Sequence, residues 1–240
     1  MNPTVTQPSI VCDIDPHGYV EVGTWVDVTW SGNLKPGKYS YGPETGVTFS
    51  NIVVTDTLDN TSSNSSGIFN SIEIKDNTRY SITISAEHSD GVIPLTNLGK
   101  PYNDGKITAG TKTGVGGTLI GYRKCFYGAI NSRVDSVADL SSDLIRNLDL
   151  STSATLTKGT TLEINVNIGD ICTIIAYPET LGNITEIIDV TGMNTTVTTS
   201  FTKYTYYVDD ASGGNAIAYN VYTNSISEPY TEEKKFKITI

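Results

Sequence analysis

The sequence predicts an all-β protein of two β-sandwich modules, the first immunoglobulin-like and the second jelly-roll-like, with one short helix. Three observations lead there. Stretches such as Trp25-Val-Asp-Val-Thr-Trp30 and Leu162-Glu-Ile-Asn-Val-Asn-Ile168 alternate apolar and polar residues, the period of a half-buried strand. Between such stretches, turn signals rich in Gly, Asn, Asp and Pro recur about every ten residues. Only 18% of the residues are charged while Thr, Ser, Asn and Gly abound, which suits strands whose outer faces are solvated by hydroxyls and amides.

In chain order, residues 1–18 come first. Pro3, Pro8 and Pro16 punctuate this stretch, which reads as an extended docking arm, disordered alone and ordered against a partner. Residues 19–113 read as the Ig-like module. Its strands are Tyr19 to Gly23, Trp25 to Trp30, Ile52 to Thr55, Ser71 to Lys75 and Tyr80 to His88, with turns at Gly32-Asn33 and Pro36-Gly37 and a polar surface loop over 59–67. The Gly/Thr/Lys-rich stretch 105–118 reads as the boundary. No Gly-Lys-Ser/Thr follows its glycines and no helix begins there, so a phosphate cradle is not expected.

Residues 118–240 read as the second module. Val134, Val137, Ala138, Ser141, Ile145 and Leu148 fall on one face of a helix over 134–149, which Ser132 or Asp135 would cap. Leu162, Ile164, Val166 and Ile168 are expected to face the core. The nearly continuous apolar run Ile171 to Tyr177 fits a strand in the middle of a sandwich. Strands over 184–190, 195–208, 216–223 and 235–240 complete a jelly-roll-like set.

The formal net charge is −10, which disfavours phosphate backbones and anionic membranes, so nucleic acid is not an expected partner. The densest basic group, Lys234, Lys235 and Lys237, follows Glu232 and Glu233 and reads as edge-strand solvation. No apolar run approaches the ~20 residues a membrane helix needs, so membrane insertion is not expected. Residues 1–9 have neither the basic nor the apolar region of a signal peptide. Cys12, Cys125 and Cys172 are too few and too far apart for a disulfide framework, which suits folding in a reducing cytosol. Cys125 and Cys172 lie in apolar strand text and read as small buried hydrophobes.

Catalytic and metal chemistry find weak footholds. Glycan hydrolysis would need two carboxylates about 5 to 9 Å apart, and Glu186 with Asp189 or Asp209 with Asp210 are the available pairs. The first flanks a strand-like Ile-Ile, and the second opens the hairpin signal Asp209-Asp-Ala-Ser-Gly-Gly-Asn215. Asp13, Asp15 and His17 read as an Asx-turn around Pro16 more readily than as metal ligands. Neither His17 nor His88 has a Gly-x-Ser-x-Gly partner. No enzyme activity, metal or cofactor is expected.

Tyrosines carry the best binding argument. Tyr204, Tyr207, Tyr222 and Tyr230 cluster in the C-terminal third, and a tyrosine offers a flat apolar face with a polar handle for sugar or protein. The competing reading places Tyr206 and one of Tyr219 and Tyr222 in the sandwich core.

Several short motifs in a fixed order add a resemblance. The first module holds Val20-Glu-Val-Gly23, a strand ending Val28-Thr-Trp30, and Thr78-Arg-Tyr-Ser-Ile-Thr83. Then follow Tyr122-Arg-Lys-Cys-Phe-Tyr-Gly128, the lone helix, Ile171-Cys-Thr-Ile-Ile-Ala-Tyr-Pro178, Leu181-Gly-Asn183, Val190-Thr-Gly-Met-Asn194 and Tyr219-Asn-Val-Tyr222. In this order they resemble bacteriophage virion appendage proteins of the tail-fibre, head-fibre or baseplate type. The polar insertion over 55–67 departs from the compact form of that pattern. The resemblance implies a non-catalytic structural protein, made in the host cytoplasm and built into the virion. It also implies docking onto other virion proteins through the arm, self-association with a trimer favoured, and a distal module placed to meet a host surface glycan. A carbohydrate-binding adhesin for a bacterial surface glycan is the alternative reading.

Overall fold

A computed structural model describes residues 1–240, and the protein is all-β and of sandwich type, with one short α-helix and four 3-10 turns. The chain forms two compact units. The first comprises Met1–Gly18 with Trp25–Ile120, the second Tyr19–Thr24 with Gly121–Ile240. The expected boundary over 105–118 is thus displaced to Ile120/Gly121, and a short early segment belongs with the later unit.

The first unit carries β1 (Val5–Thr6), β2 (Ser9–Asp15), the start of β3 (Gly18–Glu21), β4 (Trp25–Lys35), β5 (Lys38–Tyr39) and β6 (Phe49–Asp56). It continues with β7 (Thr61–Ser62), β8 (Ser66–Glu73), β9 (Arg79–Tyr80), β10 (Ile82–His88), β11 (Gly110–Val115) and the start of β12 (Leu119–Tyr122). Two antiparallel sheets form its body, β2-β4-β8 and β11-β10-β6-β7. Setting aside the short strands β1, β3, β5, β9 and β12, the first, second and fifth strands share one sheet, and the third, fourth, sixth and seventh share the other. Two antiparallel sheets of this kind make a β-sandwich.

Residues 1–18 are not a free arm. Strand β2 runs antiparallel to β4, from Ser9 opposite Lys35 to Asp15 opposite Thr29. Ile10, Cys12 and Ile14 are buried on its inner face while Ser9, Val11, Asp13 and Asp15 face outward. Burying those three side chains drives the pairing, and the prolines merely bound it: Pro8 precedes the strand and the cis Asp15–Pro16 bond follows it.

Two glycine signals also act differently from expectation. The Gly32-Asn33 turn is absent because β4 continues through both residues, and Gly32 lets Ile84 pack against its backbone. The glycine-rich stretch is likewise structured: β11 pairs with β10 from Thr83 opposite Val115 to His88 opposite Gly110. A Cβ at Gly114 would lie 2.6 Å from the Ile10 carbonyl oxygen, and one at Gly116 would lie 2.6 Å from Ile14 Cγ2. These glycines admit close approach of β2 and do not form a linker. Within the expected loop 59–67, β7 pairs with β6 and β8 begins at Ser66.

The second unit holds β13 (Phe126–Ile130), α1 (Ser142–Arg146), β14 (Leu150–Ser151), β15 (Thr161–Val166) and β16 (Cys172–Pro178). It is completed by β17 (Glu186–Asp189), β18 (Thr195–Thr196), β19 (Thr202–Val208), β20 (Ile217–Ser225) and β21 (Lys234–Thr239). A five-stranded sheet, β14-β13-β16-β20-β19, faces a four-stranded one, β15-β21-β17-β18, and the chain repeatedly crosses between them. Ile175, Tyr177 and Tyr222 meet Leu162, Ile164, Ile187, Phe236 and Ile238 between the sheets. On the other face of the larger sheet, Cys172, Ile174, Ala176, Tyr219 and Val221 lie under Val134, Leu140, Ile145 and Leu148. β16 is therefore covered on both sides, the physical reason for its unbroken apolar text.

The helix is shorter than its apolar spacing suggests. A 3-10 turn, Val137–Asp139, is closed by a capping box between Ser136 and Asp139, and Leu140 then turns extended. Ser141 starts afresh by accepting from Leu144 N at 3.0 Å, giving α1 of only five residues. Ile168 is 67% exposed, because Asp170 accepts from Asn167 N at 2.7 Å and turns the chain just after β15. No helix is long and apolar enough to cross a membrane.

Candidate functional site

Strand β19 is the best-formed candidate surface. Its sequence, Thr202-Lys-Tyr-Thr-Tyr-Tyr-Val208, combines β-branched and aromatic residues that favour the pleated conformation. It pairs with β20 along its whole length, from Thr202 opposite Thr223 to Val208 opposite Ile217. It is also the last strand of the five-stranded sheet, so the backbone row on its outer side has no ladder partner.

The two faces of β19 differ. Tyr204 and Tyr206 lean on the cluster around Ile145 and Val221, and the Tyr204 hydroxyl donates to Asp135 O at 3.0 Å. Lys203, Thr205 and Tyr207 project from the opposite face, where Tyr207 is 66% exposed and Lys203 Nζ donates to Asn183 Oδ1 at 2.8 Å.

A dense polar network fixes the end of this strand. Arg146 donates to Asp209 O at 2.9 Å and to Glu21 Oε1 at 2.6 Å, and Lys124 pairs with Glu21 Oε2 at 2.8 Å. The Arg146 guanidinium also lies 5.2 Å above the Phe126 ring. Beyond β19, the buried Asp210 carboxylate accepts from Ser212 N, Ser212 Oγ, Gly214 N and Asn215 Nδ2 at 2.6 to 3.1 Å. Burial alone would raise the Asp210 pKa, but these donors outweigh it and hold the carboxyl below its ordinary value. Gly23 is required beside it, since a Cβ there would come within 2.6 Å of the carboxylate. The sequence marked Asp209-Asp210 as a turn and as a candidate acid pair; in the structure the Asp210 carboxylate is taken up by the donors of its own turn. The participation of Glu21 had no local signal, because it comes from a distant segment.

The four candidate tyrosines do not form one patch. Tyr222 is core: it is 7% exposed, stacks on Tyr177 at 6.2 Å, and its hydroxyl oxygen accepts from Ile184 N at 3.3 Å. Strand β20 has β19 on one side and β16 on the other, so its inward side chains are covered. Tyr219, the other residue of that pair, is buried on the opposite face. Tyr230 is half-buried against the inter-sheet core, in a turn where its N–H donates to Asp170 O at 2.9 Å. Tyr204 and Tyr207 share β19 but project from opposite faces.

The candidate acids also separate. Glu186 and Asp189 stand three apart on one strand and so face opposite ways; the first accepts from Thr196 Oγ1 and the second from Gly192 N. Asp13 and Asp15 lie on the outer face of β2. No three His, Cys, Asp or Glu side chains gather closely enough to hold a metal ion. Burial raises the thiol pKa of Cys12, Cys125 and Cys172. Two surface clefts have mixed linings: one of 450 Å³ within the first unit, along Pro36 to Val47, and one of 420 Å³ within the second, beside Asn165, Asn167 and Lys235. No protein-family model and no curated protein matches the chain.

Proposed function

We propose that the chain is a non-catalytic structural component of a bacteriophage virion, of the fibre, tail or baseplate-appendage kind, that assembles with other virion proteins and with copies of itself. The single observation carrying the assembly role is the open edge of β19, which offers an unpaired backbone row and an exposed tyrosine on a firmly anchored strand. The ordered motifs from Val20 to Tyr222 support the virion setting through their resemblance to appendage proteins. The polar networks around Asp56 and Asp210 support a scaffolding role, because each ties several donors of its own turn to one buried carboxylate. Docking is then a property of folded surfaces, since residues 9–15 already form β2.

A glycan-binding adhesin is the second reading. Tyr207 favours it, because an exposed ring beside Thr205 and Lys203 is a platform on which a sugar could stack. The two separate experimentally. An antibody to the chain should decorate an appendage of purified particles in negative-stain images, while a glycan array probed with the purified chain stays blank. Undecorated particles from a host that expresses the chain would overturn the structural reading, and a defined array signal lost in Tyr207→Ser would install the adhesin in its place.

A further inference from the structure

We infer that β19 pairs with β19 of a second copy of this chain, antiparallel and centred on Thr205, joining two five-stranded sheets into one continuous sheet. The inference rests on the reading of β19 as an assembly edge and is independent of which particle the chain serves.

The register follows from the sequence of the strand. In an antiparallel pair related by a two-fold axis, centring on Thr205 sets Lys203 opposite Tyr207, Tyr204 opposite Tyr206 and Thr205 opposite itself. Val208 is fully buried and the Asp209 N–H and C=O are taken by Ser142 and Arg146, so the open stretch of the edge is Thr202 to Tyr207, and this centre pairs its residues from Lys203 to Tyr207. Each opposed pair also lies on the same face of the joined sheet, so the apolar side of one copy continues into that of the other.

The chemistry of the opposed pairs is favourable throughout. Aromatic–aromatic and Thr–Thr neighbours stabilise adjacent strands, and a lysine beside a tyrosine ring is attracted to its face. Lys203 is the only charged residue of β19, and this register sets it against Tyr207 and not against its own copy. On a chain of net charge −10, an acid-free edge is where two copies approach with least repulsion.

Within this sheet, edge pairing favours a two-fold pair. A ring built by edge pairing joins each copy head to tail and so needs two different open edges of comparable length. The opposite edge of this sheet is β14, only two residues long. A two-fold pair needs β19 alone. A three-fold ring through β19 would have to join it to an edge of another sheet, such as β15.

The test uses the full chain. Sedimentation velocity over a dilution series should show a monomer–dimer equilibrium, and Thr205→Lys, which opposes two ammonium groups at the centre, should abolish the dimer while leaving the melting curve unchanged at dilutions where the wild type is monomeric. A cysteine pair reads the register directly. The copies of Thr205→Cys face each other, whereas Thr202→Cys residues would lie ~20 Å apart across the two-fold axis. Mild oxidation should therefore link the first variant much faster than the second, with the native thiols protected by burial. A wild-type chain that stays monomeric, a trimer, a dimer that survives Thr205→Lys, or equal linking of the two cysteine variants would each overturn the pairing. None of these outcomes bears on particle decoration, so the virion reading stands or falls separately.

Discussion

The Tyr80 hydroxyl donates to Asp56 Oδ2 at 2.8 Å, tying the segment before β10 to the end of β6 inside the first unit. Asp56 also accepts from Leu58 N, Asn60 N and Asn60 Nδ2, each at 2.8 Å. One buried carboxylate thus shapes the turn into β7 and locks the neighbouring strand. Burial, and then the bond to Asp56, raises the Tyr80 hydroxyl pKa.

Tyr80→Phe should lower stability by about 1.5–3 kcal/mol, the worth of a hydrogen bond to a charged group. Asp56→Ala should cost more, because it frees the turn as well and leaves a buried hydroxyl unpaired. Urea unfolding followed by fluorescence would show both as midpoint shifts at constant slope. A Tyr80→Phe variant as stable as the wild type would show that the tie contributes nothing.

Ile14→Ala should destabilise the first unit by about 2–5 kcal/mol, the range for truncating a buried aliphatic side chain. Deleting residues 1–16 should unfold that unit outright, since the deletion strips β4 of its partner strand. An unchanged melt after the deletion would restore these residues to the status of an appended arm.

Gly114→Ala and Gly110→Ala form a matched pair on β11. The first places a methyl against the Ile10 backbone and should cost about 1–3 kcal/mol as overpacking. The second meets only His88 Nε2 at 3.5 Å and has ordinary strand geometry. It should be neutral or stabilising by about 0.4–1 kcal/mol through the unfolded chain. Equal effects in thermal denaturation would show that the approach of β2 to Gly114 is not tight.

Periodicity revealed most of the strands, but it was silent wherever tertiary packing decided the outcome. Ile10, Cys12 and Ile14 carry an alternation that the prolines around them masked, so β2 could have been found. β11 could not: Gly-Thr-Lys-Thr-Gly-Val has no apolar stripe, and only the nearness of β2 explains its glycines. The helix failed because Ser136 and Ser141 each cap a separate turn, a local competition invisible in a helical wheel. At the site, strand text gave Tyr207 and Tyr222 the same appearance. Their fates differ because β20 has neighbours on both sides and β19 on one.

Asp210 gives the second unit an acid-sensitive anchor. Its folded-state pKa lies below the unfolded value, so its stabilising contribution is present above the ordinary aspartate range near ~4 and is lost as pH falls through the folded value. Wild type should therefore exceed Asp210→Asn in stability at neutral pH, and the gap should narrow below ~4 as the carboxylate takes up a proton. Melting curves of the two proteins across that range check it; a gap independent of pH would deny the carboxylate this role.

Tyr207→Ser should change stability by no more than about 0.5 kcal/mol, as for other exposed sites. Tyr222→Ser should cost about 3–5 kcal/mol, the scale for removing a buried aromatic ring. Denaturation of the two variants side by side would expose any reversal of these assignments.

The division of the chain gives Tyr19–Thr24 to the second unit although the rest of that unit begins at Gly121. During synthesis this strip leaves the ribosome early and must remain uncommitted until nearly the whole first unit has emerged behind it. Val22, buried in the finished protein, is exposed throughout that wait. The same interleaving means that no contiguous gene fragment encodes the second unit alone: one starting at Gly121 lacks Glu21, the acid that pairs with both Lys124 and Arg146. A chain in which residues 25–120 are replaced by a linker, joining residues 19–24 to Gly121, is the shortest genetic route to an independent second unit.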